Sequence, residues 1–167
     1  PRWTLAELLA SHTTLRVGGP ARVWVEPATE VELIEVVRSA DEAGEPLLVL
    51  GGGSNVLVAD TGFAGTVVHT GRLRGIHTED VAACAGAISR RQVGIEALSG
   101  IPGLVGATPI QNVGAYGQDV GQTIARVRTY DRLKRRVVTR SAIECHFSYR
   151  RSLFKAVPDR FVVLSVS

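Results

Sequence analysis

Alternation and periodicity along this chain predict many short strands and few helices. Residues 4–10 read as a short helix, after which Gly18, Gly19 and Pro20 enforce a turn. Over residues 21–26, Val23 and Val25 alternate with Arg22 and Trp24, as in a strand with one buried face. Thr29 and Glu32 then form a capping box, each side chain satisfying a backbone donor orphaned at a helix start. Leu33, Val36, Val37 and Ala40 recur at helical spacing until Gly44 and Pro46 close the helix. The run LLVL at 47–50 is wholly apolar, the pattern of a strand buried on both faces. Further short strands are expected at 56–58, 66–69, 73–76 and 81–85, and the pattern weakens over 86–94. Residues 124–131 and 136–139 predict a hairpin with basic residues at its turn. Ser141 and Glu144 form a second capping box over one helical turn, and 161–166 reads as a last buried strand. The class is α/β or α+β.

Composition narrows the partners. Of 167 residues 45% are hydrophobic, enough for one domain or two small ones, and basic residues exceed acidic ones by only three. Arg126, Arg128, Arg132, Arg135, Arg136, Arg140, Arg150 and Arg151 cluster late and suggest an anion-binding face. Tyr130, Phe147 and Tyr149 lie among them, but aromatics are not interleaved with the cluster in the way a single-strand nucleic-acid platform requires, so no nucleic-acid partner is expected. Cys84 and Cys145 lie far apart without CxxC spacing and are expected as reduced, partly buried thiols. His12, His69, His77 and His146 show no metal-ligand spacing, so no metal is expected. No apolar run spans a membrane, no signal peptide is visible, and the absence of Met at position 1 suggests that the natural N-terminus lies upstream.

Two glycine-rich stretches carry the chemistry. Residues 101–118, IPGLVGATPIQNVGAYGQ, hold four glycines and two prolines, which no core helix tolerates, and polar tips at Thr108, Gln111 and Asn112. Glycine serves where main chain approaches a ligand or takes positive φ. The second stretch, GGGSN at 51–55, follows an apolar strand and offers backbone N–H groups with little side-chain obstruction, as a phosphate nest needs. It is neither a P-loop nor a dinucleotide fingerprint, since no Gly-Lys-Ser/Thr and no GxGxxG with a long helix follow. Two ordinary connectors would account for either stretch alone; together they favour a large cofactor.

TLRVGGPA, LLVLGGGSNVLVAD, GIEALSGIPGLVGATPIQNVGAYGQDV and FSYRRSLFK, in this order over essentially the whole chain, resemble the flavin domain of the UDP-N-acetylenolpyruvoylglucosamine reductases (UDP-N-acetylmuramate dehydrogenases) of peptidoglycan synthesis. The resemblance implies an α+β, two-part FAD-binding domain of the vanillyl-alcohol-oxidase type, with residues 1–70 and 71–167 as its subdomains. It implies that Gly51, Gly52, Gly53, Ser54 and Asn55 hold the FAD pyrophosphate. Pro102, Gly106, Ala107, Thr108, Ile110 and Gly114 would line the flavin and its ribityl chain. FAD should be bound non-covalently, since neither loop contains a His or Cys. The implied reaction passes a hydride from NADPH through the flavin to the enolpyruvyl group of a UDP-sugar. Arg150, the arginine of the YR-S motif, would stabilise the carboxylate-conjugated charge that develops. Tyr116 and Tyr149 would contact the substrate. A cytoplasmic monomer without membrane partners is expected.

Two departures from the family pattern stand out. The family's second, substrate domain, with its proton-donating serine and a glutamate, is expected to be absent from this sequence. AGAISRRQVGIEALSG is also about a dozen residues short of the resembled pattern. The alternatives are another flavin oxidoreductase of the same fold, such as a 2-hydroxy-acid dehydrogenase, and a truncated, non-catalytic nucleotide-binding domain. The YRRS-LFK segment argues against the first, because the fold alone would not require it.

Overall fold

Strand pairing overrides local propensity at the start of the chain. The computed structural model describes residues 1–73, 75 and 95–167. In place of a helix over 4–10 it has strand β1 (Arg2–Leu5) and a 3₁₀ turn at Leu9–His12. β1 pairs antiparallel with β2 (Ala21–Glu26), with Leu5 opposite Val23. Leu5 and Leu8 look like part of a helical stripe, yet both are exposed and Leu9 alone is buried. Ala6, at φ 54°, breaks the backbone between strand and turn.

Contacts divide the chain into two units. The first comprises Pro1–Arg74, Pro102–Leu104 and Arg132–Arg136. After β2 come helix α1 (Glu30–Ala43), strand β3 (Leu47–Leu50) and strand β4 (Phe63–His69). The sheet order is β1-β2-β4-β3, with β2 and β3 both parallel to β4. The α1 stripe of Leu33, Val36, Val37 and Ala40 is buried as its spacing requires. The Thr29 hydroxyl accepts from the Glu32 N–H at 3.2 Å, while the Glu32 carboxylate accepts from the Ala28 N–H at 2.7 Å. Gly44 at φ 65° and the Glu45 N–H on the Ala40 carbonyl end the helix.

Three strand expectations change. Among the described residues β3 pairs with β4 alone, and Val49 is 38% exposed instead of buried on both faces. β2 is central, and Trp24 is buried along with Val25 because loops cover the indole side; Leu9, Leu50 and Val67 pack there. Residues 56–58 form no strand: Val56 and Val58 lean on that same cluster and Leu57 is exposed. Most of the expected 73–76 strand, the 81–85 strand, the stretch 86–94, His77 and Cys84 lie outside the described residues.

The second unit comprises Gly75–Ile101, Val105–Asp131 and Val137–Ser167. It contains a minimal hairpin, β5 (Gly114–Ala115) with β6 (Gln118–Asp119). Strands β7 (Arg126–Asp131), β8 (Arg136–Ser141) and β9 (Phe161–Val166) form a sheet in the order β8-β7-β9, and a one-turn helix α2 (Leu153–Ala156) precedes β9. Val120, Ile124, Val127, Cys145 and Phe154 make the core, and burial pushes the Cys145 thiol upward from its ordinary pKa. Asp131, fully buried, accepts from Arg160 at 3.0 Å and 3.2 Å, and Arg140 lies 3.7 Å away.

The second capping box forms as expected. The Glu144 carboxylate accepts from the Ser141 N–H and hydroxyl, both at 2.8 Å, and these bonds hold its pKa below the ordinary value. A carboxylate whose folded pKa is depressed stabilises the fold above its unfolded pKa and loses that contribution as pH falls through the folded one. The stability gap between wild type and Glu144→Gln is therefore expected to be largest near neutrality and to shrink on acidification. Urea unfolding at neutral and acid pH checks this.

Candidate functional site

In the first unit the chain leaves the sheet at Leu50, which lies opposite His69, and enters the loop 51–55. Gly53 is buried at φ 65° and its carbonyl accepts from the Thr14 N–H at 3.0 Å. A Cβ on Gly53 would come within 1.9 Å of the His12 carbonyl oxygen. Glycine at 53 is thus demanded by the protein's own backbone. Gly51 is half-buried and Gly52 exposed; a Cβ on Gly52 would lie 3.3 Å from the Cα of Gly103, itself at φ 126°. The Ser54 hydroxyl donates to the Pro102 carbonyl at 3.3 Å, and Asn55 is exposed. Loop 51–54 and segment 102–104, separated by 48 residues at that hydrogen bond, are therefore side by side in one unit. Among the described residues none accepts a hydrogen bond from the N–H groups of Gly52, Gly53, Ser54 or Asn55. Donor-rich and free of bulky side chains, the loop suits an anion of the pyrophosphate class.

In the second unit, residues 105–113 run through consecutive tight turns. The N–H groups of Thr108, Ile110 and Val113 donate to the carbonyls of Val105, Ala107 and Thr108 at 3.0, 3.2 and 3.0 Å. The Thr108 hydroxyl donates to the Val105 carbonyl at 2.7 Å, and Pro109 is fully buried. Gly106 is open, with no heavy atom of the described residues within 4 Å of an added Cβ. Gly114 is closed: a Cβ there would meet the Gln118 carbonyl at 2.6 Å, so the hairpin accounts for this glycine.

Three side chains stitch segment 110–114 to segment 148–152. Asn112 Nδ2 donates to the Ser148 carbonyl at 3.0 Å, Arg150 Nη2 donates to the Gly114 carbonyl at 2.7 Å, and the Ser152 hydroxyl donates to the Ile110 carbonyl. Asn112 Oδ1 also accepts from the Gly121 N–H at 2.8 Å. Asn112 is 2% exposed, so this expected polar tip is a buried cross-link. Asn112, Tyr116 and Arg150 all sit at positive φ (47°, 51° and 54°), a conformation costing most residues about 1–2 kcal/mol, which the surrounding bonds must hold. Tyr116 with Gly117, at φ 83°, makes the two-residue turn of the β5–β6 hairpin and is 94% exposed. Tyr149, beside Arg150, is 87% exposed. One Arg150 nitrogen is committed to Gly114, and the rest of the planar fork is available to a carboxylate. A cavity of about 230 Å³ lined by Arg151, Ser152, Lys155 and Ala156 lies alongside.

Three of the late arginines are committed to partners within their own units. Arg132 grips Asp41 with Nε at 3.0 Å, Arg135 faces Glu42 at 3.7 Å, and Arg140 hydrogen-bonds Thr129 at 2.8 Å beside Asp131. The first two belong to the first unit and the third to the second. Asn112 and Ser152 as cross-links, and the His12–Trp24–His69 cluster described below, have no one-dimensional signature. Only the polar residue amid glycines at 112 hinted at a special position.

A family model described as "FAD binding domain" matches residues 21–89. The UDP-N-acetylenolpyruvoylglucosamine reductase of Cutibacterium acnes is 53% identical, over 95% of this chain and 46% of that protein. The reductase of Thermobifida fusca is 50% identical, over 95% and 48%. The chain thus spans about half the length of the curated relatives it matches. The first alignment runs over 176 residues, more than the 167 of this chain, so it includes positions that this chain lacks. The crystal structure of UDP-N-acetylenolpyruvylglucosamine reductase from Thermus caldophilus superposes with a TM-score of 0.71 and 26% identity, over 99% of this chain and 60% of that one.

Proposed function

We propose, from this chain's similarity to the UDP-N-acetylenolpyruvoylglucosamine reductases, that it belongs to their family and is the FAD-holding part of an oxidoreductase of peptidoglycan synthesis. When bound, FAD would supply hydride transfer from NADPH to the enolpyruvyl ether of a UDP-sugar, which together with one proton gives UDP-N-acetylmuramate. The observation that carries the reading is the approach of loop 51–54 to segment 102–104, within a chain whose residues 21–89 match an FAD-binding family.

Each unit contributes its own groups. In the first, Gly51, Gly52, Gly53, Ser54 and Asn55 present main-chain donors to the pyrophosphate, and Ser54 fixes Pro102 so that the two segments keep one spacing. In the second, Gly106, Ala107, Thr108, Ile110 and Gly114 line the isoalloxazine and ribityl chain, with Gly106 leaving the space that a side chain would fill. Arg150, tethered to Gly114, grips the substrate carboxylate and stabilises charge that builds on it, while Tyr116 and Tyr149 border the substrate. NADPH, a UDP-sugar enolpyruvyl ether and a cytoplasmic monomer complete the reading. No described helix is long and apolar enough to cross a membrane.

Gly106→Val tests it. Its Cβ meets nothing among the described residues, and surface changes of this kind stay within about 0.5 kcal/mol of wild type in stability. FAD affinity is nevertheless expected to fall by roughly tenfold, about 1.4 kcal/mol, as the valine takes ligand space. Flavin titration beside thermal unfolding separates the two. Unchanged affinity would remove residues 106–108 from the site.

A further inference from the structure

Beneath loop 51–55 lies a cluster that the reading above leaves unused. The Trp24 indole is 2% exposed. The His12 imidazole stacks on it with centroids 4.0 Å apart, and the His69 imidazole stacks at 4.8 Å. The two imidazoles are 5.5 Å from each other, far less than those two distances laid end to end. They therefore sit side by side on the indole instead of clasping it from opposite faces.

Each imidazole is held by a glutamate: His12 Nε2 lies 2.8 Å from Glu7 Oε1, and His69 Nδ1 lies 3.2 Å from Glu26 Oε1. Gly71 closes over the His69 ring, where a Cβ would be 2.5 Å from Cε1. The cluster also meets both ends of the loop. His69 lies opposite Leu50, whose carbonyl accepts from the Thr70 hydroxyl at 3.3 Å. The His12 carbonyl is the atom against which Gly53 is packed.

Charge gives this arrangement a consequence. With both imidazoles neutral, Glu7 and Glu26 leave the cluster with two negative charges; a proton on each histidine cancels them. Among the described residues the charged groups contacting the rings are Glu7 and Glu26. Arg2 lies opposite Glu26 across β1 and β2, Arg72 follows on the turn after His69, and β3 presents only Leu50. An anion arriving at loop 51–55 is repelled by the unprotonated cluster and not by the protonated one, so binding and protonation reinforce each other.

We infer that His12 and His69 are positioning residues for loop 51–55, and that their proton uptake is coupled to the binding of a pyrophosphate-class anion there. Affinity then rises as pH falls through the histidine range. The inference rests on reading this loop as the FAD phosphate site.

Calorimetric titration of the chain with FAD, in buffers of different ionisation enthalpy, reads the proton count directly. Net uptake near pH 7 is expected, with affinity increasing roughly 5-fold or more between about pH 8 and pH 6. His12→Gln/His69→Gln keeps polar partners for both glutamates and should bind FAD without uptake and with a flat pH profile. NMR titration of the wild-type imidazoles, with and without FAD, needs no variant: the midpoints should move up when FAD is bound. FAD binding by wild type with no proton uptake and unmoved imidazole midpoints would overturn the inference and leave the FAD reading standing. Absence of FAD binding at every pH would overturn both.

Discussion

Gly53→Ala is expected to destabilise the chain by about 2–5 kcal/mol, whether or not a ligand is present. The left-handed conformation alone costs an alanine about 1–2 kcal/mol. Its Cβ would also collide with the His12 carbonyl, and overpacking typically adds about 1–3 kcal/mol. Urea unfolding of the ligand-free chain should show the whole loss, beside a near-normal Gly106→Val. The contrast matters for function. A fall in FAD affinity at position 53 would reflect a displaced loop, whereas the same fall at position 106 reports a lost ligand contact.

Asn112→Ala should be comparably severe, at about 3–5 kcal/mol. It orphans the Gly121 N–H and the Ser148 carbonyl, and an unsatisfied buried group costs about 1–3 kcal/mol. It also puts alanine at φ 47°, where asparagine is better tolerated. Asn112→Asp keeps the acceptor for Gly121 but turns a carboxylate toward the Ser148 carbonyl, which raises the folded pKa of that carboxyl. The added destabilisation of Asn112→Asp should therefore grow as pH rises through the carboxylate range and recede on acidification. Unfolding midpoints of both variants at acid and neutral pH test this. Because Asn112 holds the chain two residues before Arg150, its loss should also free the Arg150–Gly114 tether.

What could be read from the sequence follows the range of each interaction. Helix α1 was legible to its caps because its stripe, Thr29, Glu32 and Gly44 all act within a few residues. The apolar run LLVL does not reveal its partial exposure, because strand order, which among the described residues gives β3 the single neighbour β4, is a non-local fact. Trp24 was assigned to the solvent face for the same reason; its cover comes from His12 and His69, remote in sequence. Both glycine-rich stretches were found by composition, but not what each glycine faces. Gly53 and Gly114 answer to the protein's own carbonyls, whereas Gly106 and Gly117 stand open among the described residues, Gly117 because its turn needs φ 83°. The carboxylate partners of Arg132, Arg135 and Arg140, which are Asp41, Glu42 and Asp131, are set by folding and are not legible from sequence proximity.

The central claim is that this chain holds FAD non-covalently through its two glycine-rich stretches. Titration of the folded, flavin-free chain with FAD, followed by acid precipitation, tests it most directly. Saturation near one FAD per chain is expected, with all the flavin released into the acid supernatant. A folded chain that takes up no FAD, or flavin that stays with the precipitated protein, would contradict it.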